Sequence, residues 1–218
     1  TLERMKSGSN RLKFTVNSGG ESPVVFAGTF AGYKGYRTDS GYDQQKVSVR
    51  HYYERPKYSV ETGTTLSNLN QETAGYITGL EAYKDESVAL SNPNPEAFRD
   101  AKAARVWSRF TFGSNKSELS VKPYVRYTEM EFLQHFLPGK PLEENGQKSL
   151  GLQIYSSGNL SDIVDFSIGV DAEFTKAYLK QTQFAETSGS AFLQATVPIG
   201  KHYDYTVDAR QIAPFFSD

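Results

Sequence analysis

The stretch V-D-F-S-I-G-V-D-A-E-F, Val164 to Phe174, alternates almost without a fault. In a strand, successive side chains point to opposite faces. Phe166, Ile168, Val170, Ala172 and Phe174 then fall on one face, and Asp165, Ser167, Gly169, Asp171 and Glu173 on the other. A period of 2 reads as a strand with one wet and one apolar face. What the apolar face touches decides the fold: a second sheet, a helix, or lipid.

The same period recurs along the chain. It predicts about nine strands, near Arg11–Asn17, Val24–Tyr36, Gln45–Tyr53, Tyr58–Leu66, Ala104–Phe112, Leu119–Tyr127, Leu150–Ser156, Asp165–Thr175 and Tyr203–Phe215. Leu12, Phe14 and Val16 oppose Arg11, Lys13 and Thr15. Val47 and Val49 oppose Lys46, Ser48 and Arg50. Val106, Phe110 and Phe112 oppose Arg105, Trp107 and Arg109, and Leu119, Val121, Val125 and Tyr127 oppose Ser120, Lys122, Tyr124 and Arg126. Pro123 inside one strand removes a ladder donor, which suggests a bulge or a sheet edge, and Gly28, Gly32 and Gly35 weaken the Val24–Tyr36 strand. The one helical signal is N-P-E-A-F-R-D, Asn94 to Asp100, with Asn94 as a candidate N-cap and Pro95 at the first helical position.

Bulk composition excludes several classes. The formal net charge of the 218 residues is -1, so no global charge draws the chain to nucleic acid or to an anionic surface. With 38% hydrophobic residues but 14 Tyr and 14 Phe, it is neither disordered nor rich enough for an ordinary closed core. A water-soluble protein and a transmembrane β-barrel can both have this composition, because a barrel wall is apolar only at every second residue. There is no cysteine, hence no disulfide framework, thiol nucleophile or zinc-thiolate site. No apolar run reaches the length of a transmembrane helix. The start, T-L-E-R-M-K-S-G-S-N, lacks the apolar core of a signal peptide. That leaves a cytosolic chain or a mature or internal piece of a longer one.

The connections carry more information than the strands. Short ones fall at Ser18–Pro23, Glu54–Lys57, Asn115–Glu118 and Gly158–Asp162. Longer ones fall at Arg37–Asp43, Ser67–Asp100, Gln134–Lys148 and Tyr178–His202. Strict alternation of short and long puts all long loops at one end of an up-and-down sheet, as in transmembrane barrels. A Greek-key sandwich has no reason to keep that order. The order also has Arg11–Asn17 running inward, so at least one earlier strand is missing. The wet faces carry Arg11, Lys13, Lys46, Arg50, Arg105, Arg109, Lys122, Arg126, Asp165, Asp171 and Glu173. That many charges do not fit a dry core. They suit a water-filled lumen, or the outside of a soluble protein. Tyr33, Tyr36, Tyr52, Tyr53, Tyr58, Tyr127, Tyr178, Tyr203 and Tyr205 lie near strand ends, where aromatic girdles would sit, although tyrosine is also simply a good strand former. The expected fold is all-β: a segment of an antiparallel up-and-down transmembrane β-barrel.

Four blocks resemble the barrel of TonB-dependent outer-membrane receptors. They are G-Y-R-T-D-S-G-Y-D-Q-Q-K-V-S-V-R-H from Gly35; T-L-S-N-L-N-Q-E-T-A-G-Y-I with N-P-N-P-E-A-F-R-D-A-K from Asn92; Y-V-R-Y-T-E-M-E-F-L-Q-H-F-L-P-G-K-P-L-E-E-N-G-Q from Tyr124; and H-Y-D-Y-T-V-D-A from His202. The resemblance implies a bacterial outer-membrane location and a barrel of roughly 22 strands filled by a plug domain. It implies uptake of ferric siderophores, cobalamin or similar scarce solutes, energised through the TonB complex. Residues 1–218 then form part of a barrel, with the plug and the remaining strands absent. The implied partners are outer-membrane lipid, a siderophore-type small molecule, and the TonB complex acting through the missing plug region.

No catalytic constellation competes with this. His51, His135 and His202 do not pair at metal-ligand spacing. Asp165, Asp171 and Glu173 read as solvated charges, since nothing arranges an acid and a base around a substrate. G-T-F-A-G at Gly28 precedes no helix and so is not a phosphate loop. The basic residues are dispersed and offset by 25 acids, so no nucleic-acid partner is expected. No catalytic residue, cofactor or metal is assigned. Ligand contacts are expected from the long loops, because loops on a rigid scaffold usually carry recognition. Asn68, Asn70, Gln71, Tyr76 and Tyr83 are the candidates in one loop, and Phe136 and Lys140 in another. The alternatives are a passive porin-like channel, which would lack an upstream plug, and a soluble secreted β protein that binds carbohydrate, which would be a compact 24.3 kDa monomer in water.

Overall fold

The computed structural model describes residues 2–4, 8–114, 117–161 and 164–217. They form one antiparallel sheet of ten strands, each hydrogen-bonded to its neighbours in sequence. The strands are β1 (Leu2–Arg4), β2 (Ser9–Asn17), β3 (Val24–Tyr33), β4 (Tyr42–Arg55), β5 (Tyr58–Glu72), β6 (Phe98–Ser114), β7 (Ser117–Leu133), β8 (Leu142–Ser161), β9 (Val164–Gln183) and β10 (Gly200–Ser217). All nine expected strands are present. The loop order left the strand before Arg11–Asn17 as missing; a short one is instead present, β1, paired with β2 through Leu2–Leu12.

The long-loop ends of the strands extend further than the alternation suggested. β6 begins at Phe98, because Phe98 and Arg99 pair with Glu72 and Gln71 of β5. Ahead of it the expected short helical turn is present as a turn closed by Ala97 N–H donating to the Asn94 carbonyl at 3.0 Å, and the strand pairing ends it at Phe98. The helices lie elsewhere: α1 (Glu86–Leu90), capped by the Asp85 side chain, and α2 (Ala191–Thr196), capped by Ser190. Pro123 marks neither an edge nor a bulge. It pairs with Leu152 on one side, and on the other the β6–β7 register runs unshifted from Trp107–Tyr124 to Phe110–Val121. Only the ladder lapses there, as a missing N–H requires.

The register aligns the alternating faces of all strands from β2 on. One face carries an apolar belt: Leu12, Phe14 and Val16; Phe26 and Phe30; Val47 and Val49; Leu66; Val106, Phe110 and Phe112; Val121 and Val125; Leu150, Leu152 and Ile154; Ile168, Val170 and Phe174; Ile212 and Phe216. Within it, the Thr62 and Ser108 hydroxyls satisfy one another at 2.9 Å. Only two apolar side chains, Ala31 and Ala97, are buried among the described residues. Leu150 is 60% exposed, Ile168 55% and Ile212 70%. Among the described residues no second layer covers the belt. A contiguous exposed apolar face this large marks an interaction surface.

The tyrosines divide between the faces. Tyr53 and Tyr58, with ring centroids 6.2 Å apart, flank the belt at its short-turn end, and Tyr127 and Tyr178 flank it at the long-loop end. Tyr33, Tyr52, Tyr203 and Tyr205 lie on the charged face, and Tyr36 lies in a loop, so the girdle is smaller than tyrosine position alone suggested.

Glycine has a different part from the expected weakening. Phe14, Trp107, Tyr124, Tyr178 and Phe215 each stand directly opposite a glycine on the next strand: Gly28, Gly63, Gly151, Gly146 and Gly169. Each ring lies across its glycine, so that an added Cβ would meet the ring. Gly151→Ala is therefore expected to displace Tyr124 and cost roughly 1–3 kcal/mol in chemical unfolding, the usual penalty of overpacking.

Candidate functional site: the charged wall and the long-loop end

The face opposite the belt carries the charges that alternation assigned to it. On β4–β7 it is basic, with Lys46, Arg50, Arg105, Arg109, Lys122 and Arg126. Glu61 stands between two of them, 3.8 Å from Arg50 and 3.7 Å from Arg109. Trp107 lies beneath Lys122, whose Nζ is 5.0 Å from the ring centroid, and Tyr124 lies beneath Arg105 at 5.5 Å. Glu173 is held by three donors. It accepts from the Tyr124 hydroxyl, from Arg126 at 2.5 Å and from Thr175 at 2.8 Å. Asp171 accepts from Gln153 at 3.2 Å, and Asp165 from Asn159 at 2.6 Å. Each carboxylate is held by its own donors, which suits a hydrated wall and not a pair facing one scissile bond.

The four long connections all emerge at one end. They are residues 34–41, 73–97, 134–141 and 184–199. Two pins organise them. Arg37 reaches from the first loop into the second, donating through Nε to the Ser91 carbonyl at 2.7 Å and through NH1 to the Gly75 carbonyl at 2.5 Å. Thr38 N–H donates to the Leu90 carbonyl at 3.0 Å, and Asn92 to that of Asp39 at 2.8 Å. The second pin is a buried amide group. Gln183, 1% exposed, donates to the Ala185 and Val197 carbonyls and to the Thr187 hydroxyl, and its oxygen packs against Gly139 of the third loop. Beside it, Gln181 donates to Gln134 at 2.6 Å. A buried polar group that meets partners from two loops fixes both.

One ion pair joins the two halves: Lys140 Nζ to Glu96 at 2.5 Å. The Lys140 ammonium, hydrogen-bonded to Glu96, holds its carboxyl below the ordinary glutamate range. A depressed carboxylate stabilises the folded form above its unfolded pKa, and that contribution is lost as pH falls through the folded pKa. The protection factors of residues 73–97 and 134–141, with the intrinsic pH dependence of amide exchange divided out, are expected to stay constant down to about pH 5 and to fall in more acid solution. Lys140→Ala should abolish that acid-side change.

The expected contact residues do not all share this end. Asn68, Asn70 and Gln71 belong to β5 and not to the loop, which starts at Thr73. Asn68 stands on the belt side, donating to Gln45 at 2.7 Å and Asn70 at 2.8 Å, and only Gln71 is on the charged face. Tyr76 and Tyr83 are loop residues, 75% and 69% exposed. Phe136 is also exposed, its ring tilted against that of Phe132 and edge-on to that of His135. His51 is bonded to Ser22 and His202 to the Pro198 carbonyl, and the described residues hold no cluster of three or more metal-ligating side chains. Arg37 and the Gln134–Gln181–Gln183 group escaped sequence reasoning, because nothing local distinguishes them from other exposed polar residues.

Comparison with models of protein families and with curated proteins finds no match to this chain. Solved structures do match its fold. The ferric citrate transporter FecA, in its unliganded form, superposes with a TM-score of 0.66 at 10% identity over 94% of this chain. FpvA of P. aeruginosa, bound to an iron complex of a heterologous pyoverdine, gives 0.68 at 10% identity over 97%. FpvAI in complex with pyocin S2 gives 0.69 at 8% identity over 97%. This chain spans only 31% of the first and 33% of the others. The fold is thus an antiparallel up-and-down barrel segment of the kind found in these structures.

Proposed function

We propose that the chain is a stretch of barrel wall from a bacterial outer-membrane receptor. The receptor takes up a ferric siderophore or a similar scarce solute with energy relayed by the TonB complex. The observation that carries the reading is the division of the sheet: an uncovered apolar belt on one face, a hydrogen-bonded charged wall on the other, and every long loop at one end. Lipid on the belt, water on the wall and solute at the loops account for all three together. The fold likeness to a ferric citrate transporter and to a pyoverdine-bound receptor supports the same reading. Tyr76, Tyr83, Phe136 and Lys140 are the residues best placed to meet an external ligand, and Gln71 to meet one lower down the wall.

Cell fractionation with peptide mass spectrometry tests this first. Peptides of this chain are expected in the outer membrane, in a band much larger than 24.3 kDa. A soluble band of that size would overturn the reading. With the full receptor in hand, uptake of labelled ferric citrate and ferric pyoverdine is measured with and without an uncoupler. Uptake that survives the uncoupler would point to a passive channel instead.

A further inference from the structure

At the long-loop end the two faces of the sheet carry opposite charge. Just inside the strand ends, three successive register rows of the charged face hold no carboxylate from β2 to β10. On β7 they pass through Met130, Thr128 and Arg126, and on β6 through Ala101, Ala103 and Arg105. Their charged members are Arg11, Lys13, Lys46, Arg105 and Arg126. On the belt side of the same end, one row carries Asp43, Asp100, Glu131, Glu144 and Asp204, with Lys180 as its only cation. The formal net charge of -1 thus conceals a separation across the sheet. Glu3 of β1 takes Arg11 and Lys13 at 3.9 and 4.0 Å, and Glu173, one row further from the loops, takes Arg126. Lys46 and Arg105 are exposed and form no ion pair among the described residues. Arg105 stands directly opposite Arg126, and both guanidinium groups lean over Tyr124, 5.5 and 5.8 Å from its ring centroid. At the strand ends themselves this face has one carboxylate, Glu143, against one cation, Arg99. Glu143 already accepts from Gln134 at 2.5 Å and from Asn145 at 2.7 Å.

A surface of one sign, set in low-dielectric walls, focuses its field into the water beside it and concentrates the opposite ion. Rings of like-charged side chains set ion preference in pores by the same means. Two arginines opposed across a ladder repel one another, and Glu173 compensates only Arg126. Beneath the loops an anion therefore meets Lys46 and Arg105 and no uncommitted carboxylate of this face. An arginine fork and a lysine ammonium both donate to acidic oxygens such as carboxylate or phenolate. We propose that the solute taken up is a net anionic chelate, and that Lys46 and Arg105 receive its acidic oxygens below the loops. This rests on the reading that the charged face lines an uptake lumen, a reading that leaves the charge of the solute open. It sets aside a neutral solute such as cobalamin.

The chain has no cysteine, so Ala103→Cys, in the row of Lys46 and next to Arg105 along the same face of β6, sets a unique thiol beside them. The full receptor containing this chain is used, with any cysteine outside residues 1–218 replaced by serine. Methanethiosulfonates carrying an anionic sulfonate, a cationic trimethylammonium or a neutral methyl group report the field. Each rate is divided by that reagent's rate with free 2-mercaptoethanol. On this scale the anionic reagent is expected to react about tenfold faster than the cationic one. Lys46→Gln/Arg105→Gln in the same background should bring the two rates together. An unchanged neutral rate shows that the wall is still folded and open. Millimolar ferric citrate is expected to protect the thiol, and cyanocobalamin is not. A ratio of one or below would overturn the anionic assignment while the barrel reading stands, and so would protection by cyanocobalamin or by neither compound. A thiol closed to every reagent would show the wall covered by protein and overturn the solute contact. A receptor that stays folded and soluble without detergent would overturn the lumen reading itself.

Discussion

Val170→Arg is expected to destabilise the folded receptor by about 2–4 kcal/mol, and Asp171→Arg by much less. The residues are adjacent in β9 but point to opposite faces. Val170 stands among Ile154, Ile168 and Pro214 in the middle of the belt. A guanidinium there must enter hydrocarbon or drag water and headgroups inward. Asp171 stands on the charged wall, where its substitution loses one bond from Gln153 and adds a charge near Lys122. In a hydrated lumen both effects are small. Urea unfolding of the two variants in lipid vesicles reads the difference. Equal costs would mean that the faces are assigned wrongly, whatever the location of the protein.

Arg37→Ala should free the loop of residues 73–97 without unfolding the sheet. Two charge-assisted bonds to carbonyls are lost, each worth about 1.5–3 kcal/mol, and partial exposure of Arg37 places the total near the lower end, roughly 3 kcal/mol. That corresponds to about a hundredfold faster exchange of the Thr38 and Ser91 amides, both of which donate within this loop cluster. Hydrogen-exchange mass spectrometry shows whether the change stays local. Arg37→Lys separates charge from shape, because an ammonium lacks the fork that reaches Ser91 and Gly75 together. If exchange is unaltered in the alanine variant, the loop is held by its backbone contacts alone. Exposed Tyr76 and Tyr83 ride on this loop, so loss of the pin is also expected to weaken any ligand contact they make.

Much of the architecture was legible in the alternation. The side-chain period of a strand is local, so Phe166 to Phe174 and Asp165 to Glu173 separate onto two faces whatever the strand pairs with. The order of short and long connections then required an up-and-down sheet, and ten strands in simple sequence order are what the register shows. Boundaries were less legible. The alternation breaks near Asn68 and again near Phe98, where polar residues occupy both faces, yet the β5–β6 ladder continues through them. Backbone pairing does not depend on side-chain polarity, so polarity alone ends a strand too early. For the same reason Asn68, Asn70 and Gln71 read as loop residues, and the Asn94–Pro95 turn is followed by strand from Phe98 on.

The site at the long-loop end was legible only in part. Composition marked the loops as polar and aromatic, but not which loop holds which. Arg37 acts on Gly75 and Ser91, and Gln183 acts on Val197 and Gly139, and no periodicity links such pairs. The same holds for the rings that lie across glycines, since Tyr124 and Gly151 meet only once β7 and β8 are in register.

The amino-acid sequence by itself determined the strand period, the sign of each face and the end at which the long loops gather, because these follow from neighbouring residues and chain order. Only the tertiary structure decided that the belt is left uncovered among the described residues, and that two pins, half-buried Arg37 and buried Gln183, organise the loops. Those are encounters between distant residues, set by register and loop docking, and local chemistry does not encode them.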